Sequence, residues 1–97
     1  MDISFDSRVV VPDDVLERGI GNESILLNLN NENYYGLDEA GRHFWETLEA
    51  SASIQEAFDK LLAEYDVEEG TLRTDLIEFI GALVEQGLIE LRAPEME

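Results

Sequence analysis

The feature that most constrains this chain is a change of hydrophobic periodicity at residues 33–39, which read Asn-Tyr-Tyr-Gly-Leu-Asp-Glu. Before this junction, apolar residues alternate with polar ones in short runs, as they do in half-buried β-strands. After it, apolar residues recur every three or four positions, as they do on one face of a helix. Asp38 can accept hydrogen bonds from the free amides that begin the first helix. The sequence therefore predicts an α+β fold in which the sheet precedes the helices.

Three antiparallel strands are predicted in the first third of the chain, at residues 15–18, 24–29 and 34–37. The polar tetrad at 30–33 is of a kind that joins antiparallel neighbours, so the third strand should fold back along the second. The second strand has the clearest two-residue alternation, and it carries apolar residues on both faces. One face has Ile25, Leu27 and Leu29, and the other has Leu26 with Asn28.

Three helices are predicted after the junction. Ser53 and Glu56 fit a capping box at the start of the second helix, and Gly87 is placed to end the third in a left-handed cap. The third helix carries two apolar stripes, of which one can serve the core, while the other needs the sheet, another subunit or a bound peptide to cover it. The stripes are Leu72, Leu76, Phe79 and Leu83, and beside them Ile77, Ile80 and Val84.

The length of 97 residues predicts a single domain with a small core. Residues 1–11 are expected to form a loosely held arm or an extra edge strand. The sheet should occupy residues 14–37 and the three helices residues 38–87. Residues 92–97 should form a charged, frayed tail.

The charge balance excludes several classes of ligand. The chain has 23 Asp and Glu but only 6 Lys and Arg, which gives a formal net charge of −17. Such a field repels phosphate backbones and anionic membranes and attracts cationic partners, although it also serves simply to keep a small protein in solution. The chain lacks cysteine and any apolar run of about 18 residues. We therefore expect a cytoplasmic protein that binds neither nucleic acid nor membrane.

The residue types give no support to catalysis. His43 is the only histidine, and its place beside Phe44 and Trp45 on the first helix favours a structural or surface role. Neither a Gly-rich phosphate loop nor an HExxH pattern occurs, and the acidic pairs lack the spacing of an EF-hand loop. We expect no catalytic residue, no cofactor and no metal site.

The order of these elements, together with several local motifs, resembles the PqqD-like family, the recognition elements that bind precursor peptides of ribosomally made and post-translationally modified peptides (RiPPs). The resemblance covers roughly residues 15–91 and is strongest to the free-standing proteins of lasso-peptide biosynthesis. Its marks are Leu26-Leu27-Asn28-Leu29, Tyr34-Tyr35-Gly36-Leu37-Asp38-Glu39, Trp45 with Leu48, Ser53-Ile54-Gln55-Glu56 with Leu61-Leu62 and Tyr65, and Asp75-Leu76 through Leu83 to Gly87-Leu88-Ile89.

The resemblance implies a winged helix-turn-helix-like fold, in which a three-stranded antiparallel sheet packs on three helices. It also implies that the leader region of a precursor peptide adds a strand to the third β-strand and packs against the third helix, a mode known as β-augmentation. Only one of the two adjacent tyrosines can face the core, and the sequence does not tell which. The candidate peptide-binding residues are Asn33, Tyr34, Tyr35, Gly36 and Leu37 on the strand and Asp75, Leu76, Phe79, Ile80 and Leu83 on the helix.

The function that the resemblance implies is that of a non-catalytic adaptor, which presents the precursor to a separate enzyme such as a lasso leader peptidase. A PQQ-type peptide chaperone for a radical SAM enzyme, named after pyrroloquinoline quinone (PQQ), is one alternative, and a non-RiPP protein-interaction or dimerisation module is another. A DNA-binding winged helix should have a basic third helix, yet Arg73 is the only cation there. An acidic carrier protein should be all helical, and Ser7 is a poor attachment site.

Overall fold

The computed structural model of the protein describes residues 3–93, so most of the predicted tail lies outside the described residues. The α+β fold is confirmed, with a three-stranded antiparallel sheet followed by three helices. The elements are β1 (Arg8–Val10), β2 (Val15–Ile20), β3 (Glu23–Asn28), β4 (Tyr34–Leu37), α1 (Glu39–Ala50), α2 (Ile54–Glu64), α3 (Glu69–Glu85) and β5 (Glu90–Arg92).

The three-stranded sheet has the order β2-β3-β4, and only one of its faces is covered. Along β3, the side chains of Ser24, Leu26 and Asn28 are buried, whereas Ile25 is exposed. Leu26 belongs to the hydrophobic core that the three helices complete. The buried face is therefore the one that carries a single apolar residue between two small polar ones.

The side chain of Asn28 organises the turn between β3 and β4. Its oxygen accepts a hydrogen bond from the Asn30 amide at 2.8 Å, and its amide donates to the Gly87 carbonyl at 2.7 Å. Glu32 has a positive φ of 63°, and its backbone amide donates to the Asn28 carbonyl at 2.8 Å. The Asn28 backbone amide in turn donates to the Asn33 carbonyl at 2.8 Å. Glu32 and Asn33 thus both lie opposite Asn28, which makes a β-bulge. This bulge fixes the register of β4 on β3.

Capping side chains start α1 and α2 where the sequence predicts them. The Gly41 amide donates to the Asp38 carboxylate at 2.7 Å, and the Glu56 amide donates to the Ser53 hydroxyl at 3.1 Å. The Glu56 carboxylate accepts from the Ala52 amide at 2.7 Å. That bond reaches one residue further back than the Ser53 amide of a standard capping box.

Helix α3 lies against the core and ends as predicted in a left-handed glycine. Gly87 has φ 72°, and the Leu88 amide donates to the Leu83 carbonyl at 2.9 Å, which is the long bond of a Schellman motif. The buried face of α3 combines members of both predicted stripes, because it follows the helical repeat and not either stripe alone. It consists of Leu72, Leu76, Ile80 and Leu83.

The segment before β2 packs on α2 and α3. The Ile54 amide donates to the Ser7 carbonyl at 2.9 Å, and the Phe5 ring lies edge-on to Phe58 with centroids 5.6 Å apart. The Arg73 guanidinium lies 4.5 Å from the centre of the Phe5 ring. In the same segment, β1 pairs with β5 in a separate two-stranded sheet and not with the edge of the larger sheet. The chain's own N-terminal segment thus covers part of α3.

Candidate functional site

Strand β4 is an edge strand with free backbone groups. Its register pairs Tyr35 with Leu26, and no strand within residues 3–93 pairs with its other side. The carbonyl of Asn33 points toward β3, and the direction of backbone groups alternates along an antiparallel strand. The N–H and C=O groups of Tyr34 and Gly36 must therefore point away from β3, toward the open edge.

A groove of about 330 Å³ runs beside this edge. One of its sides is β4, and the others are the first turns of α1 and the middle of α3. An extended chain that paired with β4 would lie along the groove. The lining residues are Tyr35, Gly36 and Leu37 from β4, Asp38, Ala40, Gly41 and Phe44 around the start of α1, and Asp75 and Phe79 from α3.

Phe44 and Phe79 form the apolar wall of this groove, and a third aromatic side chain, Tyr65, packs against Phe44. The Phe44 ring packs edge-on against Phe79, with centroids 5.7 Å apart, and against Tyr65 at 6.2 Å. All three side chains are half-buried, so each keeps some surface for a ligand. Edge-to-face pairs of this kind hold the rings in place. The groove is therefore an apolar surface that exists before any peptide arrives.

Gly41 lies in the first turn of α1, between the Asp38 cap and the groove. A Cβ atom at this position would lie 3.2 Å from the Asp38 carboxylate and 3.6 Å from the Phe79 ring. Glycine within a helix costs on the order of 1 kcal/mol relative to alanine. The tight distance to the capping Asp38 carboxylate gives that cost a physical reason.

The structure separates the two adjacent tyrosines. Tyr35 is half-buried and packs against the core on the groove side, while Tyr34 is 73% exposed on the opposite face of the sheet. Asn33 lies at the mouth of the turn, where its side-chain amide donates to the Gln86 carbonyl at 3.3 Å. Of the predicted strand residues, Tyr35, Gly36 and Leu37 line the groove.

The predicted helix residues fall into two groups. Asp75 and Phe79 line the groove. Leu76, Ile80 and Leu83 are fully buried, so they form the packed layer beneath the groove and offer no surface of their own. Sequence reasoning missed Phe44 as a wall residue. A signal was available, because Phe44 and Trp45 are adjacent large aromatic residues about 100° apart around the axis of α1, so only one of them can lie at the centre of its buried face.

Two carboxylates, Asp38 and Asp75, lie at the polar rim of the groove. Asp38 is already engaged in capping α1, whereas Asp75 is exposed on α3. In residues 3–93 no group of acidic or histidine side chains could hold a metal ion, and none of the helices there is long and apolar enough to cross a membrane. His43 lies outside the groove, where its ring contacts the Glu64 carboxylate.

Comparison with known proteins identifies the family. Residues 23–89 match the family described as Coenzyme PQQ synthesis protein D (PqqD), which is more than half of the chain. The chain belongs to the PqqD family. Every groove residue of this PqqD-family protein lies within the matched region, as do β3, β4 and the three helices. Strands β1, β2 and β5 lie outside it.

Two solved structures resemble this PqqD-family chain. One, "TbiB1 in Complex with the TbiA(beta) Leader Peptide", has 35% sequence identity, covers 84% of this chain and 94% of that chain, and has a TM-score of 0.74. The other, "Lasso peptide synthetase B1 complexed with the leader peptide", has 18% identity, covers 86% and 98% of the two chains, and has a TM-score of 0.73. The second likeness shows a shared fold alone. No curated protein matches the chain.

Proposed function

We propose that this protein is a RiPP recognition element, which binds the leader region of a ribosomal precursor peptide by adding it as a strand to β4. The observation that carries the proposal is the open edge of β4 beside a preformed apolar groove. TbiB1, to which the chain is similar at 35% identity, has been captured with a leader peptide. The resemblance of the strand and helix motifs to the free-standing proteins of lasso-peptide biosynthesis supports a lasso-peptide pathway as the setting.

Binding would divide between backbone and side chains. The outward N–H and C=O groups of Tyr34 and Gly36 would pair with the leader backbone, which supplies affinity with little demand on sequence. Alternate leader side chains would enter the groove, because side chains on a strand alternate between its faces. There they would meet Tyr35, Phe44 and Phe79, and these contacts would select apolar leader residues.

The charge of the protein adds a second preference. A net charge of −17 attracts cationic peptides over a distance of about 10 Å at ordinary salt. Asp75 at the rim of the groove places one exposed carboxylate next to the bound strand. The preferred leader therefore combines apolar residues at alternate positions with lysine or arginine nearby.

The protein would act without catalysing a reaction itself. By holding the leader, it would raise the effective concentration of the precursor near a separate enzyme, such as a leader peptidase, and determine which bond reaches the active site. This role requires one surface for the leader and another for the enzyme. The groove beside β4 would supply the surface for the leader.

A backbone N-methyl scan of a fluorescent leader peptide tests strand addition directly. N-methylation removes one amide donor and leaves the side chain in place, so only the leader residues that donate to β4 should respond. We expect binding, measured by fluorescence anisotropy, to weaken at every second position, by about fivefold to tenfold for each lost hydrogen bond. An equal effect at all positions, or none at any, would contradict strand addition.

A further inference from the structure

The face of the sheet that points away from the helices is apolar and uncovered. Six large apolar side chains are exposed within residues 3–93, and five of them lie on this face. The sixth, Val67, lies between α2 and α3. We call this surface the outer sheet face and define it by Leu16, Ile20, Ile25, Leu29 and Tyr34.

The strand register makes the outer sheet face continuous. Leu16 is opposite Leu27, which is opposite Tyr34, so one row crosses all three strands. In the next row Ile25 is opposite Gly36, where a Cβ atom would meet nothing within 4 Å. The missing side chain leaves a depression of about 380 Å³ that reaches Ile20. Continuous exposed apolar surface with such a depression is typical of a protein interface.

The depression adjoins the proposed leader site. Gly36, Leu37 and Asp38 line both the depression and the groove, so the two concavities meet at the free edge of β4. A peptide strand added at this edge would send alternate side chains into the groove and the others to the outer sheet face. A protein bound to the outer sheet face would therefore touch the bound peptide as well.

The charge of the protein favours a different protein, and not a second copy of this chain, as the partner that covers the outer sheet face. Two copies would each bring a net charge of −17 to the contact, which opposes association. The exposed acids Asp13, Asp14 and Glu23 flank the ends of β2 and β3, and the exposed Arg18 lies within the face, opposite Ile25. The surface thus suits a partner with an apolar centre, a rim of lysine or arginine and one carboxylate opposite Arg18.

We propose that the outer sheet face is the docking surface for the enzyme that processes the bound precursor. The proposal rests on the proposed function, because it concerns the second surface which that function requires. The enzyme would reach the leader from the side of the sheet that the groove does not occupy. Leader and enzyme can then bind at the same time, with β4 between them.

The test uses two substitutions on β2, the strand furthest from the leader edge. Leu16 and Ile20 are 51% and 61% exposed, so L16T/I20T removes apolar surface and places β-branched threonine, which favours strands, at both positions. V67T is the matched control, because Val67 is 45% exposed outside the face. Leader binding is measured with a fluorescent leader peptide. Peptidase binding is measured by biolayer interferometry, in which the purified leader peptidase encoded beside the precursor is immobilised.

We expect L16T/I20T to bind the leader like the unchanged protein and to bind the peptidase at least about tenfold more weakly. V67T should change neither affinity. Peptidase binding should also weaken as salt increases, since the rim contacts are charged. Peptidase binding that survives L16T/I20T would overturn the proposal, as would peptidase binding that is indifferent to salt.

Separate readouts distinguish failure of this inference from failure of the proposed function. If the unchanged protein does not bind the leader, strand addition at β4 fails, whatever the peptidase does. Sedimentation equilibrium tests whether a second copy of the chain binds the outer sheet face instead. A dimer of the unchanged protein that L16T/I20T dissociates would assign the outer sheet face to a second copy and overturn the enzyme docking.

Discussion

The two edges of the three-stranded sheet differ in what lies beside them. Strand β4 borders an apolar groove. Strand β2 carries Glu17, whose charge acts on Glu49 of α1. Burial of the Glu49 carboxyl, together with repulsion from Glu17 and Glu46, raises the pKa of Glu49. Charged side chains are a common protection of edge strands against unwanted pairing, so a free edge becomes a binding site only where its surroundings allow it.

The backbone itself does not distinguish the edges. The Leu29 amide donates to the Asp14 carbonyl, and alternation from that pair directs the backbone groups of Glu17 and Gly19 away from β3. Gly36 has the corresponding orientation on β4. Each edge thus exposes a glycine whose N–H is free of the ladder, and this pair allows a matched experiment.

The largest expected effect comes from Gly36→Pro. Proline removes the outward N–H and places a ring where the leader backbone would pair, while the ladder to β3 keeps its bonds. We expect leader affinity to fall by at least about tenfold, from one lost hydrogen bond of about 1 kcal/mol and the clash of the ring. Gly19→Pro makes the same change on β2 and should leave leader affinity within about twofold. Fluorescence anisotropy measures both.

Equal effects of the two proline variants would remove the distinction between the edges. Thermal unfolding followed by circular dichroism identifies any variant that fails to fold. A Cβ atom is accommodated at both positions, because one at Gly36 meets nothing within 4 Å and one at Gly19 comes no closer than 3.4 Å to the flexible Arg42 guanidinium.

The two tyrosines of β4 give the next largest effect. Tyr35→Ala removes a groove-lining aromatic ring, and we expect leader binding to weaken by about fivefold, the equivalent of about 1 kcal/mol. Tyr34→Ala changes the same residue type one position away, on the outer sheet face. It should weaken leader binding in isothermal titration calorimetry less than Tyr35→Ala does, because it removes only contacts with the leader side chains that point to the outer sheet face. A larger loss for Tyr34→Ala would mean that the peptide packs on the other face of the sheet.

The sequence predicts those features of the fold that depend on local chemistry. The caps at Asp38 and Ser53 and the left-handed Gly87 are predicted because each is specified within a few residues of the chain. The strand at β3 is predicted from its two-residue alternation. The sequence does not predict which face of β3 is buried, because apolar residues occur on both faces. Asn28 is buried because it bonds to Gly87, 59 residues away.

The sequence predicts the edge strand of the candidate site, but it does not predict which aromatic side chains form the wall of the groove. The junction places the edge strand correctly, but Tyr34 and Tyr35 are identical in chemistry, so only packing against the core separates them. Phe44 lines the groove because its ring packs edge-on against Phe79 of α3, which is far from it in the chain. The pairing of β1 with β5 joins two three-residue strands from opposite ends of the chain. No local pattern predicts such a contact.

A smaller effect is expected from Asp75→Asn, which tests the charge at the groove. The substitution removes one exposed carboxylate beside the bound strand, so the affinity for a leader that contains lysine should fall by about twofold at low salt. The loss should disappear in high salt. Glu78→Gln is the control, because Glu78 lies on the same helix beside Ile77 and Gly81, away from the groove. A loss that persists in high salt would show that Asp75 acts by contact and not by charge.

The smallest effect is expected from Glu49→Gln near the β2 edge, which should change the stability of the protein and not its affinity for the leader. Because the pKa of Glu49 is raised in the folded protein, ionised Glu49 opposes folding, and its unfavourable contribution grows as pH rises through that pKa. Glu49→Gln should therefore raise the unfolding temperature slightly at pH 7. The gain should vanish below the ordinary glutamate pKa, where the carboxyl is protonated in both states. Glu78→Gln measures how much any lost negative charge stabilises a protein of net charge −17. If both variants gain equally at pH 7, the clustered carboxylates are not what separates the β2 edge from the β4 edge.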